Sequence, residues 1–160
     1  MKFYSAVTLF GACGKRLKEG TLYMTAPATD IVSFKKFLIE LAGAIKDPYT
    51  KQRPYLVLDN HSAHRSVHVR EELNRFHAIF QPAYSSPFNV QETVWSQLKR
   101  EYYVRLHRRD SDFTSEVDFR NMVLQLCEDV QVNTDNILRA NLRYIDQYLA
   151  LGAEQSSDTF

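Results

Sequence analysis

Cysteine is scarce in this chain: Cys13 and Cys127 are the only two among 160 residues. They form no C-x-x-C pair, which argues against a disulfide framework and against a zinc ribbon, and fits a reducing compartment such as nucleus or cytoplasm. Long apolar runs are also missing. No stretch approaches the roughly 20 residues that a membrane helix needs. The run Met1–Cys13 is interrupted by Ser5 and Thr8 and has no credible signal-peptide cleavage site. A soluble, intracellular protein without a membrane partner is therefore expected. Surplus charge of one sign is absent too: the formal net charge is +1, so any contact with nucleic acid has to come from local patches. There is no internal repeat and no low-complexity tract. What remains is 44% hydrophobic and 12% aromatic, enough for a core, within a length that fits one globular domain.

Along the chain, Lys2–Ala12 is rich in β-branched and aromatic residues and reads as a strand. After the polar turn Gly14–Gly20, Thr21–Ala26 returns, giving an antiparallel hairpin closed by Pro27. Thr29 or Asp30 caps a helix through Lys46, in which Ile31, Phe34, Leu38, Leu41 and Ile45 recur at helical spacing. Tyr55–Leu58 is a short continuous apolar run ending in Asp59-Asn60, the pattern of a buried parallel strand. Ser66 caps a further helix through Phe76 with Val69 and Leu73 inward, and His77–Phe80 is another strand. A loop over Ala83–Asn89 leads to a long helix, Val90–Arg108, with Val94, Leu98 and Leu106 on its apolar side. Two amphipathic helices follow, Ser115–Val130 and Thr134–Leu151. In them Leu124, Leu138, Leu142, Ile145 and Leu149 are core or interface residues. The expected organisation is one α/β domain over 1–152 with strands of mixed direction, then a polar tail at 153–160.

Asp59 ends a strand, and in open α/β sheets ligands bind beyond the carboxyl ends of strands. A plain turn-forming role for an Asp-Asn pair is equally open on position alone. Glu92 lies in the first turn of the long helix, where the helix dipole favours a carboxylate even without function. Together the two change the picture. Carboxylates beyond successive strands can converge on one sheet edge and hold Mg²⁺ or Mn²⁺, hard ions that take oxygen ligands and support phosphoryl transfer.

The segment Asp59-Asn60-His61-Ser62-Ala63-His64 resembles the D-N-x-x-x-H segment of mariner-type transposases of the DDE superfamily. Tyr84-Ser85-Ser86-Pro87-Phe88-Asn89-Val90-Gln91-Glu92-Thr93-Val94-Trp95-Ser96-Gln97-Leu98-Lys99 resembles their Y-S-P-x-L-N-P-I-E-x-x-W-S-x-L-K segment, with Val90 at the usual proline and Gln91 at the usual isoleucine. Asp59 and Glu92 are 33 positions apart, close to the family's separation. The resemblance runs from the hairpin through Arg109 and implies an RNase H-like mixed sheet flanked by helices, with further C-terminal helices. It implies metal-dependent cleavage and transfer of DNA strands, with Asp59 as the second acid and Glu92 as the third, and with Asn60, His64 and Asn89 as active-site support. The first acid and the central strand that bears it have no counterpart: Lys2–Ala12 matches the next strand, the first acidic residue is Glu19 in a turn, and Asp30 is a poor substitute. The chain thus reads as a truncated or decayed copy, or as one piece of a longer product. The strands flanking the absent one would have to pair with each other or with another chain.

Lys99, Arg100, Arg105, Arg108 and Arg109 gather positive charge along and beyond the long helix, read as DNA-phosphate contacts against the plainer alternative of a solvated face. Trp95 is read as core rather than as a base-stacking platform. His61, His64 and His68 look superficially like a zinc set but lack a fourth ligand nearby. The alternative to an incomplete transposase domain is an inactive nucleic-acid-binding or assembly module, with self-association through strand edges or C-terminal helices.

Overall fold

Alternation along the first strand sets the layering. In β1 (Thr8–Cys13), Phe10 and Ala12 point into one apolar cluster while Leu9 and Cys13 point into another, as the two-residue period of a strand requires. β2 (Thr21–Ala26) pairs antiparallel to it, with Phe10 opposite Met24 and Gly11 opposite Tyr23. Gly20, at φ 77°, makes the return, in the left-handed region that favours glycine. This hairpin lies between two helical layers. The computed structural model describes residues 7–46, 52–82, 88–108, 115–130 and 132–157, so Lys2–Ala6 of the expected first strand falls outside them.

On one face lies α1 (Ile31–Gly43), capped by Asp30, whose carboxylate accepts from the Ser33 amide at 2.7 Å. Phe34, Phe37, Leu38 and Leu41 from α1 are all buried. The helix ends earlier than its apolar period suggested. Ile45 and Lys46 leave it to pair with the hairpin turn, through a bridge to Leu17 and a bond from the Lys46 amide to the Arg16 carbonyl. The hairpin's turn carbonyls compete successfully for the last donors.

β3 (Tyr55–Leu58) and β4 (His77–Phe80) pair in parallel, Tyr55 opposite His77 and Leu58 opposite Phe80. The expectation that β3 is buried on both faces is corrected. Leu56 and Leu58 pack toward α1, whereas Tyr55 is 75% and Val57 56% exposed. The physical reason is that the C-terminal helices cover the hairpin instead. Between the two strands, the helix expected over Ser66–Phe76 is shorter: two 3₁₀ turns, Ser62–Arg65 and Val67–Val69, run into a single α turn, α2 (Arg70–Leu73). Val69 is fully buried there, and the Lys35 ammonium meets the buried Glu72 carboxylate at 3.1 Å, joining α1 to α2.

α3 (Val90–Arg108), α4 (Glu116–Asp129) and α5 (Thr134–Ser157) form the other layer. α3 packs on β1 and α4 on β2. Their shared core is Val94, Leu98, Leu126, Cys127 and Ile137. Leu106, read on the apolar side of its helix, and Leu142 and Leu149, read as core or interface residues, are exposed at 40%, 60% and 64%. α5 continues to Ser157, beyond the helix expected to stop at Leu151, so residues 153–157 are helical. Among the described residues the strands fall into two separate two-stranded sheets, β1–β2 and β3–β4, giving a mixed α/β architecture. No helix among them is long and apolar enough to cross a membrane.

Candidate functional site

The carboxyl end of β3 delivers Asp59 into a tight turn. Its Oδ1 accepts from the His61 amide at 3.1 Å and lies 2.7 Å from Nδ1 of His64. That last approach is close but poorly aligned for a directed hydrogen bond, so its effect is mainly electrostatic. His64 is itself held by the core: its side chain is only 14% exposed, and its ring lies 4.1 Å from that of Phe34 on α1. Burial pushes the His64 pKa down, while the Asp59 carboxylate pulls the other way with a smaller effect. The imidazole is therefore neutral near pH 7. Asp59 remains more than half exposed, its side chain at 56%, and so keeps lone pairs free for a ligand.

Glu92 arrives by a different route. Asn89 caps α3, its side-chain oxygen accepting from the Gln91 amide at 3.0 Å and its carbonyl from the Glu92 amide at 3.0 Å. This places Glu92, which is exposed, in the first turn. Trp95, one turn on, closes down on β1. A Cβ at Gly11 would come within 2.5 Å of the Trp95 ring and 2.9 Å of Gln91 Nε2, so the close approach of α3 to the strand requires glycine at that position.

Asp59 and Glu92 line the same cavity, a space of about 230 Å³ bounded by β1, the end of β3, α1 and the start of α3. Asn89, His61 and His64 line it too; Asn60, beside Asp59, is exposed. Sequence reasoning passed over Gly11, Thr8, Thr29 and Gln91 as lining residues. For Gln91 a signal existed, a polar residue where the resembling motif carries isoleucine. Among the described residues no three His, Cys, Asp or Glu side chains gather into a cluster suited to a metal ion. Among the described residues, the carboxylates lining this cavity are those of Asp59 and Glu92.

The basic residues separate. Lys99 and Arg100 are exposed on α3. Lys99 lines a neighbouring apolar groove with Leu9, Trp95, Leu98, Tyr102 and Leu126 rather than the Asp59–Glu92 cavity. Arg105 is engaged within the fold, its Nε 3.1 Å from Glu101 and an Nη 2.9 Å from Asp129, which ties α3 to α4 and raises its pKa. Arg108 ends α3, and its side chain, like Arg109 and residues 84–87 of the second motif, lies outside the described residues. Trp95 is half-buried, 6.2 Å from the Tyr23 ring.

In this mixed α/β architecture two carboxylates, one beyond the end of β3 and one in the first turn of α3, open onto one cavity. A family model described as DDE superfamily endonuclease matches residues 6–114, and the chain belongs to that family. No curated protein and no solved structure matches it.

Proposed function

We propose that this chain carries most, but not all, of the strand-cleaving and strand-joining core of a mariner-type DDE transposase, RNase H-like in arrangement, acting on DNA, with Asp59 and Glu92 as its second and third acids. The observation that supports the reading is their meeting on a single cavity, from positions 33 residues apart in sequence. The donor set suits a divalent ion: two hard oxygen ligands, both solvent-accessible, without thiolates. Asp59 and Glu92 would hold Mg²⁺ or Mn²⁺, whose contribution when bound is to stabilise charge on the reacting phosphate and activate water or a 3′-hydroxyl. His64, neutral and packed on Phe34, orients Asp59. Lys99 and Arg100 supply sequence-independent attraction for the DNA backbone, with Arg108 extending the same helix.

With two acids rather than three, little strand transfer is expected from this chain alone. The test is Mn²⁺ binding followed by electron paramagnetic resonance, alongside nicking of supercoiled plasmid. Asp59→Asn and Glu92→Gln should each weaken Mn²⁺ binding about tenfold or more, the scale of losing one charged oxygen ligand. Binding that is indifferent to both substitutions would sink the reading. Robust cleavage abolished by Asp59→Asn would mean that another group replaces the missing first acid.

The two-carboxylate count also favours a second reading, an inactive nucleic-acid-binding or assembly module. In that case filter binding of DNA survives Asp59→Ala and Glu92→Ala but falls with Lys99→Ala and Arg100→Ala.

A further inference from the structure

α5 carries two faces that could pack, and the fold uses one of them. Ile137, Asn141 and Tyr144 recur at i, i+4 and i+7, so they share a side of the helix. That side is the inner one: Ile137 is buried in the core around Val94, and the Tyr144 ring lies 5.6 Å from that of Phe88. Leu138, Leu142, Ile145 and Leu149 recur at intervals of four, three and four, which groups them about 100° further round the helix. None of these four belongs to either apolar cluster. Leu138 and Ile145 are half-buried, and Leu142 and Leu149 are well exposed.

We infer that this second stripe is a dimer seam, at which α5 packs antiparallel against α5 of a second copy of the chain. Its spacing is that of the a and d positions of a coiled coil, with Leu142 and Leu149 at a and Leu138 and Ile145 at d. In an antiparallel pair an a residue faces a d residue, so Leu142 meets the second copy's Ile145, and Leu138 meets its Leu149.

The charges beside the seam choose both the partner and the direction. The e positions hold Arg139 and Asp146. Both are exposed, and neither is in an ion pair among the described residues. An antiparallel arrangement sets e against e, so Arg139 of each copy meets Asp146 of the other. The contact is self-complementary, as two-fold symmetry requires. A parallel arrangement would set Arg139 against Thr134 and Asp146 against Asn141, and would pair no charges. The seam spans about three turns, short for a stable interface, so the dimer forms at micromolar chain concentrations rather than below.

The inference is independent of the reading of Asp59 and Glu92, and none of its substitutions touches their cavity. The test is sedimentation equilibrium on the full chain, with circular dichroism as the check on folding. The chain should dimerise reversibly. Leu142→Glu should abolish association, because it places a charge in the seam. Arg139→Glu and Asp146→Arg should each weaken self-association about tenfold, since each sets like charges together at both e pairs. Mixed in equal amounts, those two variants should form a heterodimer as readily as the parent chain dimerises, because every e pair is again of opposite sign. A parent chain still monomeric at about 1 mM, a dimer indifferent to Leu142→Glu, or a mixture of the two charge variants that fails to associate would each overturn the inference.

Discussion

The two junctions that carry the acids are built on different principles. Asp59 follows a four-residue strand and is fastened from outside its own segment: the His61 amide and His64 hold the carboxylate, and Phe34, distant in sequence, holds His64. Glu92 stands in the first turn of a 19-residue helix and is placed by local rules, an asparagine cap and the helical repeat, with no hydrogen-bond or ion-pair partner on its carboxylate among the described residues. A tertiary fastening concentrates its dependence in a few packed residues, whereas a helix distributes it along a whole element. The two halves of one site should therefore fail differently.

The hardest blow to the Asp59 junction is Phe34→Ala. Phe34 is 2% exposed and contacts both Phe10 and His64. Its removal should cost about 3–5 kcal/mol of stability, read as a lower denaturation midpoint, and should loosen the turn at Asp59. If hydrogen exchange of residues 60–65 is unaffected in a variant that still folds, the claim of tertiary fastening fails. At the Glu92 junction, Asn89→Ala should cost only about 1 kcal/mol, with faster exchange confined to the first turn of α3. A larger loss, or one that spreads to β3, would show that the two junctions are coupled.

Smaller still is Arg105→Ala. Its ion pairs with Glu101 and Asp129 are at the surface, so thermal melts should register less than about 1 kcal/mol. The same variant sharpens the reading of the basic helix: if DNA binding persists in Arg105→Ala but falls in Lys99→Ala, Arg105 belongs to the fold rather than to the DNA surface. The gentlest probe is pH. His64 has its folded pKa below the ordinary imidazole value, chiefly because it is buried. The unfolded chain therefore takes up a proton that the folded one resists, and stability should decline as pH falls below the unfolded value of about 6.5 until the folded pKa is reached. His64→Gln should flatten that slope in denaturation curves between about pH 7.5 and 5. An unchanged slope would mean that the imidazole is not held neutral.

Much of this was legible in the residues themselves. The hairpin, the helix start at Thr29 or Asp30, the two short strands β3 and β4 and the span of α3 follow from turn chemistry and periodicity. The paired Asp59 and Glu92 stood out because two motifs kept their order and separation. Other features were not legible. YLVL is apolar at every position, and nothing local says which face remains open, so the run reads as buried although Tyr55 and Val57 are exposed. Arg105 looked like any other cation on a basic helix, because its partner Asp129 comes from another helix.

Sequence alone determined that the hairpin, the two later strands and the long helix α3 form, and that two acids follow the strands near β-to-α junctions, because turn formation and periodicity are decided within a few residues. Only the tertiary structure decided that both acids open onto one cavity, that His64 is largely buried against Phe34, and that, among the described residues, β1 and β3 do not pair with each other. Those facts depend on how α1 and α3 enclose the strands, and packing between elements distant in the chain is set by shape and solvent exclusion over the whole molecule.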